Sequence, residues 1–137
     1  MPLLIWSVIM LPTFASELRP SEEVIAQENS PEMKVSNSKR CTSIFLASYF
    51  RLVGSGRNDV ADLKVQDKQL SRKYFELALL VVSENHLPDT QKSLLGDVTK
   101  LTLMYRLRMD ENERTTGNAV DSQIEKELRI CRAILGP

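Results

Sequence analysis

Residues 41–52 read CTSIFLASYFRL, and apolar side chains return every third or fourth position of this stretch. The resulting stripe comprises Cys41, Ile44, Phe45, Tyr49 and Leu52. Ser48 interrupts the stripe with a small polar side chain. A stripe of this spacing predicts an amphipathic helix. We expect the helix to begin at Ser38 and to end at the breaker Gly54-Ser55-Gly56.

The same spacing occurs three more times toward the C-terminus. The three stripes are Leu70, Tyr74, Leu77 and Val81; Leu94, Val98, Leu101 and Tyr105; and Val120, Ile124, Leu128, Cys131 and Leu135. Pro88 and Gly117 fall between them, and Asn118 is the expected N-cap of the last helix. Four such helices with mostly short connections predict an all-α, up-down-up-down four-helix bundle. The alternative is a helical hairpin that dimerises into a four-helix assembly.

The chain contains two cysteines, Cys41 and Cys131, and each lies in phase with the apolar stripe of its helix. In an up-down-up-down bundle, the start of the first helix and the end of the last helix lie at the same end. We therefore predict a disulfide between them, which an oxidising compartment would preserve. The alternative is a pair of buried, reduced thiols that act as small apolar side chains.

Residues 1–15 have the features of an export signal. Leu3–Leu11 is almost uninterruptedly apolar and is too short to cross a bilayer, which takes about 20 residues. Small residues follow Pro12, so we predict cleavage between Ala15 and Ser16 and a periplasmic or secreted protein. The usual basic residues before the apolar run are missing, and we expect them further upstream. The alternative is an apolar helix packed on the domain.

Residues 16–37 are polar and contain Pro20 and Pro31. This composition predicts a flexible tether that contains at most a short helix over 21–28. The chain is thus divided into a signal peptide (1–15), a tether (16–37) and a helical bundle domain (38–137).

Charge balance argues against two classes of partner. The 137 residues include 18 basic and 18 acidic side chains, which give a formal net charge of zero. A nucleic-acid-binding protein relies on an excess of Lys and Arg near the phosphates, and anionic membranes attract the same excess. We therefore expect no nucleic-acid partner and no stable membrane insertion after cleavage of the signal.

Catalytic and metal-binding patterns are weak throughout. His86 is the sole histidine, and the preceding Glu84 lacks the Glu-x-x-His spacing of di-iron bundles. No G-x-S-x-G motif surrounds a serine, and Gly54-Ser55-Gly56 lacks the lysine of a phosphate-binding loop. We therefore expect no catalytic residue, no metal and no cofactor, with His86 in a loop after the second helix.

Five residues form a candidate interaction surface. Phe50 and Phe75 fall off the main stripes and could form an apolar groove or a dimer face. Arg106, Arg108 and Arg114 stand among acidic residues, as in the polar rim of an interface. The sequence therefore predicts a non-enzymatic protein that acts on an unknown protein partner as an adaptor, inhibitor, chaperone-like factor or effector, or that forms a homodimer. The alternative is a bundle that binds a small ligand or lipid.

Overall fold

The computed structural model describes residues 30–135, and this part of the chain is helical and contains no strand. Its four helices are α1 (Pro31–Ser55), α2 (Ala61–Glu84), α3 (Gln91–Thr116) and α4 (Ser122–Leu135). The predicted all-α class is confirmed. The predicted signal peptide, its cleavage site at Ala15 and Ser16, and residues 16–29 of the predicted tether lie outside the described residues.

Helix α1 begins at Pro31, so the predicted start at Ser38 is wrong. The Ser30 hydroxyl accepts a hydrogen bond from the Met33 N–H at 3.1 Å, which satisfies one of the free donors of the first turn. Proline is tolerated at this position because its missing N–H has no partner in a first turn anyway. Val35 is buried in these early turns. Residues 31–37 therefore belong to the bundle and not to a tether.

Helix α1 lies at the centre of the bundle and contacts the other three helices. It runs antiparallel to α2, as shown by the stacked rings of Phe45 and Tyr74 and the hydrogen bond from Ser48 to Asp67. It runs parallel to α3, because Lys39 pairs with Asp97 and Arg51 pairs with Asp110. The first three helices therefore run up, down and up.

Helix α4 runs back along α3 and then diverges toward α2. Near its start, Asp121 pairs with Arg108 of α3, and further along Glu127 accepts a hydrogen bond from Tyr105 of α3. Near its end, the Cys131 carbonyl oxygen accepts a hydrogen bond of 2.7 Å from the hydroxyl of Tyr74 in α2. The last helix thus completes the up-down-up-down order.

The core has two parts. The larger cluster draws on all four helices and contains Cys41, Ile44, Phe45, Ala47, Leu70, Tyr74, Tyr105, Met109, Ile124, Leu128 and Cys131. The smaller cluster joins only α1, α2 and α3 and contains Val35, Ala78, Val81 and Leu94. Helix α4 therefore packs on the larger cluster, whereas the smaller cluster is formed by α1, α2 and α3 alone.

A disulfide joins Cys41 of α1 to Cys131 of α4, with the two Cα atoms 5.7 Å apart. The predicted covalent link between the first and last helices is confirmed. Because α1 begins at Pro31, Cys41 lies well inside the helix rather than at its start. The disulfide therefore fixes the later part of α4 against the interior of α1.

The N-cap of α4 is Asp121 and not Asn118 as predicted. The Asp121 carboxylate accepts a hydrogen bond from the Ile124 N–H at 2.8 Å, as an N-cap side chain does. The Asn118 side chain instead accepts a hydrogen bond from the Val120 N–H within the preceding turn.

None of the described helices combines the length and the apolar character that a bilayer-spanning helix needs.

Candidate interaction groove

A groove of about 460 Å³ lies between the parallel helices α1 and α3. Its lining residues are Leu46, Phe50, Leu95, Val98, Thr99, Thr102, Leu103 and Arg106. On α1, Leu46, Phe50 and Val53 recur at i, i+4 and i+7 and so share one side of the helix. Arg40 and Cys41, which contact α4, lie on the opposite side. The groove is therefore open on the side of the bundle that α4 does not cover.

The threonine hydroxyl groups of the groove wall already donate hydrogen bonds within the protein. The Thr99 hydroxyl donates to the Leu95 carbonyl oxygen at 2.8 Å, and the Thr102 hydroxyl donates to the Val98 carbonyl oxygen at 2.7 Å. Both hydroxyl hydrogens are thus used within α3 itself. The wall consequently offers a partner mainly apolar contact.

Arg106 supplies the positive charge of the groove. Its guanidinium carbon lies 5.6 Å from the centroid of the Phe50 ring, which is a cation–π distance. Among the ion pairs within residues 30–135, none involves Arg106. The groove therefore combines an apolar wall with one exposed guanidinium that contacts an aromatic ring and no carboxylate.

Apolar side chains around the groove are largely open to solvent. Leu103 is 56% exposed, and Phe50, Val53, Leu95 and Leu107 are exposed to comparable degrees. Large apolar side chains scattered singly on a surface are ordinary, whereas a contiguous apolar patch is a candidate binding surface. All of these residues lie on α1 or α3, and Phe50, Leu95 and Leu103 line the groove itself.

Ion pairs bound the groove at the end beyond Phe50 and Arg106. Arg51 of α1 pairs there with Asp110 at 2.7 Å and with Glu113 at 2.5 Å, both of α3. The apolar section of the groove therefore ends at this ion-pair cluster.

The structure brings together two of the five residues predicted to form an interaction surface. Phe50 and Arg106 meet in the groove. Phe75 does not reach it, because this ring is partly buried and packs against the smaller core cluster. Arg108 is held by Asp121 and Gln123 and so anchors α4, while Arg114 pairs with Glu111 on the exposed surface of α3.

Sequence reasoning missed the aliphatic half of the groove. Leu95 and Leu103 flank the predicted core positions Leu94 and Leu101, and together they make the apolar sector of α3 unusually wide. An apolar sector wider than one neighbouring helix can cover is the signal that could have identified them. Their exposure in the bundle follows from that width.

Two buried polar clusters lie on the other side of α1. Arg40 of α1 binds Glu127 of α4 at 2.5 Å, and the hydroxyl of Tyr105 donates to the same carboxylate oxygen at 3.0 Å. All three side chains are buried. Burial, together with the negative charge of Glu127, raises the pKa of Tyr105. The cluster ties three helices together in an environment closed to solvent.

The second cluster centres on Asp67, which is fully buried. Its carboxylate accepts a hydrogen bond from Ser48 at 2.6 Å and pairs with Arg132 at 3.3 Å. Burial raises the pKa of the Asp67 carboxyl, and the Ser48 hydrogen bond and the Arg132 charge oppose that shift without cancelling it. Burial also raises the pKa of nearby Tyr74 to about 12. Both groups serve the packing of α1, α2 and α4.

His86 is exposed at the end of α2, in the loop position expected from the sequence. Within residues 30–135, no three His, Cys, Asp or Glu side chains converge in a way that could hold a metal ion.

Comparison of the chain with protein-family models, with curated proteins and with solved structures found no match. The groove is thus the feature of the described residues that best fits a binding role.

Proposed function

We propose that this chain is an exported helical protein that acts by binding a protein partner in the groove between α1 and α3. The observation that carries the proposal is the exposed apolar wall of that groove on a bundle held by a disulfide. Disulfides persist in oxidising compartments, which supports a periplasmic or secreted location. A rigid surface of this kind suits an adaptor, an inhibitor, a chaperone-like factor or an effector.

A protein partner is favoured over a small ligand by the shape of the groove. Small-molecule sites are concave and bury most of the ligand surface. The groove is instead flanked by leucines that are about half exposed, so a small ligand would leave much of this apolar surface uncovered. A protein segment would cover the wall and the flanking leucines together.

The proposal is tested by placing a photoreactive amino acid at position 103 or at position 80 in the organism that makes the protein. Leu80 is a matched control because it is 53% exposed and belongs to α2, which does not line the groove. We expect irradiation to give a protein-sized adduct from position 103 and none from position 80.

Other adducts would each point elsewhere. An adduct of small mass at position 103, together with a co-purifying lipid in native mass spectrometry, would replace the proposal with the ligand-binding alternative. An adduct of twice the chain mass would identify a homodimer. Equal protein adducts from both positions would overturn the assignment to the groove.

The proposed role is non-enzymatic. His86 is the only imidazole available as a general base, and it lies at the far end of α2 rather than in the groove. We expect His86→Ala to leave the cellular phenotype of the protein unchanged. A loss of phenotype with the fold intact would favour an enzyme instead.

A further inference from the structure

We propose that the segment bound in the groove is an amphipathic helix that lies antiparallel to α1 and α3 and places an acidic residue of its first turn against Arg106. The inference rests on the proposed function and adds the chemistry and the direction of the partner. Three observations carry it: the length and the apolar wall of the groove, the Arg106 guanidinium that pairs with no carboxylate, and the two carboxylates beyond it that share Arg51.

The groove matches a helix in length and in chemistry. It extends along α3 from Leu95 to Arg106, which at 1.5 Å per residue is about 16 Å, or roughly three helical turns. Two parallel helices with apolar side chains between them form a furrow that accepts the ridge of a third helix. Because Thr99 and Thr102 use their hydroxyl hydrogens within α3, the wall has little to offer the free backbone groups of an extended peptide. Between its two ends, a helix satisfies its own backbone groups.

Charge complementarity assigns the acidic residue. Every other arginine in α1 and α3 is paired with a carboxylate, namely Arg40, Arg51, Arg108 and Arg114. Arg106 is in none of these ion pairs, and its guanidinium lies over the Phe50 ring, which leaves its N–H donors for a ligand. A planar guanidinium accommodates a carboxylate with two parallel hydrogen bonds. The partner is therefore expected to carry Glu or Asp at this point.

The direction follows from the charges beyond Arg106. One to two turns further along α3, the carboxylates of Asp110 and Glu113 share the single guanidinium of Arg51, so this end of the groove has a net negative charge. A bound helix gains from placing its positive N-terminal end there, and an acidic residue in its own first turn is favoured for the same reason. One carboxylate of the partner would thus stabilise the N-terminal end of its own helix and pair with Arg106. Apolar residues about four, seven and eleven positions later would follow the wall toward Leu95.

The test uses the intact, disulfide-bonded protein and two synthetic peptides of about 16 residues, each stapled into a helix on its outer face. Both carry leucines along one face, and they differ only in a first-turn Glu or Lys. We expect the Glu peptide to bind about fivefold more tightly by fluorescence anisotropy, as one partly exposed ion pair allows. Arg106→Glu should reverse the preference. Leu103→Asp should abolish binding of both peptides, and the control Leu80→Asp should leave both unchanged.

A nitroxide at the N-terminus of the Glu peptide tests the direction. We expect the paramagnetic broadening of amide signals to be stronger near Leu107 than near Leu95. Stronger broadening near Leu95, a preference that Arg106→Glu does not change, or the absence of binding by either peptide would each overturn the inference.

The proposed function can fail separately. If the peptides do not bind while the photoreactive residue at position 103 still captures a protein, the helix and its acid are wrong and the proposed function stands. If that residue captures only small molecules, and palmitate binding depends on Leu103, both proposals fall.

Discussion

His86 has a left-handed backbone with φ of 52°, a conformation strained by the Cβ of any L-residue. Its N–H and that of Leu87 donate to the carbonyl oxygens of Ser83 and Val82, which is the Schellman pattern that ends many helices at a glycine. The free energy gained by relieving this backbone strain should exceed the free energy lost because glycine makes the unfolded chain more flexible. We therefore expect His86→Gly to raise the free energy of unfolding by about 0.5–1 kcal/mol in urea titrations.

Gly117 provides the opposite control. It ends α3 with φ of 80°, and a Cβ at this position would meet no neighbouring atom within 4 Å. Gly117→Ala should therefore destabilise the protein by about 1 kcal/mol through backbone strain alone. Equal stability of His86→Gly and wild type would show that the α2 end carries no strain.

Asp67 predicts a pH dependence whose sign is set by its burial. Because burial holds the folded pKa of this carboxyl above its ordinary value, the folded state binds the proton more strongly than the unfolded state. Its contribution to stability is therefore fully present below the unfolded pKa of about 3.9 and is lost as the pH rises through the folded pKa. Asp67→Asn cannot titrate.

Urea unfolding of wild type and of Asp67→Asn in parallel would isolate this effect from all other titrating groups. We expect the stability of wild type relative to the variant to fall as the pH is raised from about 4. A rise over the same interval would mean that Ser48 and Arg132 outweigh burial. Ser48→Ala should enlarge the effect, since it removes a hydrogen bond to the charged form.

Among the contacts between helices, the buried ion pair of Arg40 and Glu127 is the most sensitive to loss of one partner. Both side chains are almost fully buried, and Tyr105 of α3 donates to the same carboxylate. Glu127→Leu alone removes the buried carboxylate that both Arg40 and Tyr105 bind, and we expect it to cost about 3–5 kcal/mol in urea unfolding. The double variant Arg40→Met with Glu127→Leu should recover most of that loss, because apolar packing replaces a buried pair well.

The outcome for the double variant also separates two roles of this ion pair. If it is as unstable as Glu127→Leu, the pair itself stabilises the contact of α1 with α4. If the double variant recovers stability but its amide NMR signals become broad and poorly dispersed, the ion pair chiefly specifies the packing geometry of α4 on α1. Unchanged stability of the single variant would contradict the burial of the carboxylate.

Helix existence could be predicted from the sequence, and helix ends could be predicted less well. The stripes of all four helices follow from a spacing that any packed helix must obey. The start of α1 was missed because Pro31 is as compatible with a first helical turn as with a turn or linker. The N-cap of α4 was missed because Asn118 and Asp121 have equally suitable side chains, and only the path of the chain selects between them.

At the level of the whole molecule, the disulfide between Cys41 and Cys131 closes a long loop, with a sequence separation of 90. Closing such a loop restricts the unfolded chain, so we expect Cys41→Ser with Cys131→Ser to lower the free energy of unfolding by about 2–4 kcal/mol. Thermal unfolding of the double variant against the oxidised wild type measures this. A thiol assay on unfolded, unreduced protein checks the premise, and two reactive thiols would contradict it.

The groove shows where prediction from sequence stops. Phe50 could be recognised because it falls off the stripe of its own helix. Leu46 and Leu103 could not be joined to it, since they become neighbours only when α1 and α3 pack in parallel with α4 on the opposite side. The arginines were likewise equivalent in sequence. Pairing with acids removes Arg108 and Arg114 from consideration and leaves Arg106.

The covalent link from α1 to α4 also determines how the protein would respond to being pulled. Tension applied at Ser30 and Leu135 would pass through the sulfur–sulfur bond and bypass everything between Cys41 and Cys131. Only residues 30–40 and 132–135 could be drawn out, a contour length of about 50 Å. An unfoldase or translocase that threads one polypeptide through a narrow pore from the C-terminal side would stop at Cys131, because two cross-linked segments would have to enter the pore side by side. In its oxidised form, the protein therefore presents a mechanical stop to such a machine, which a reductant would have to open first.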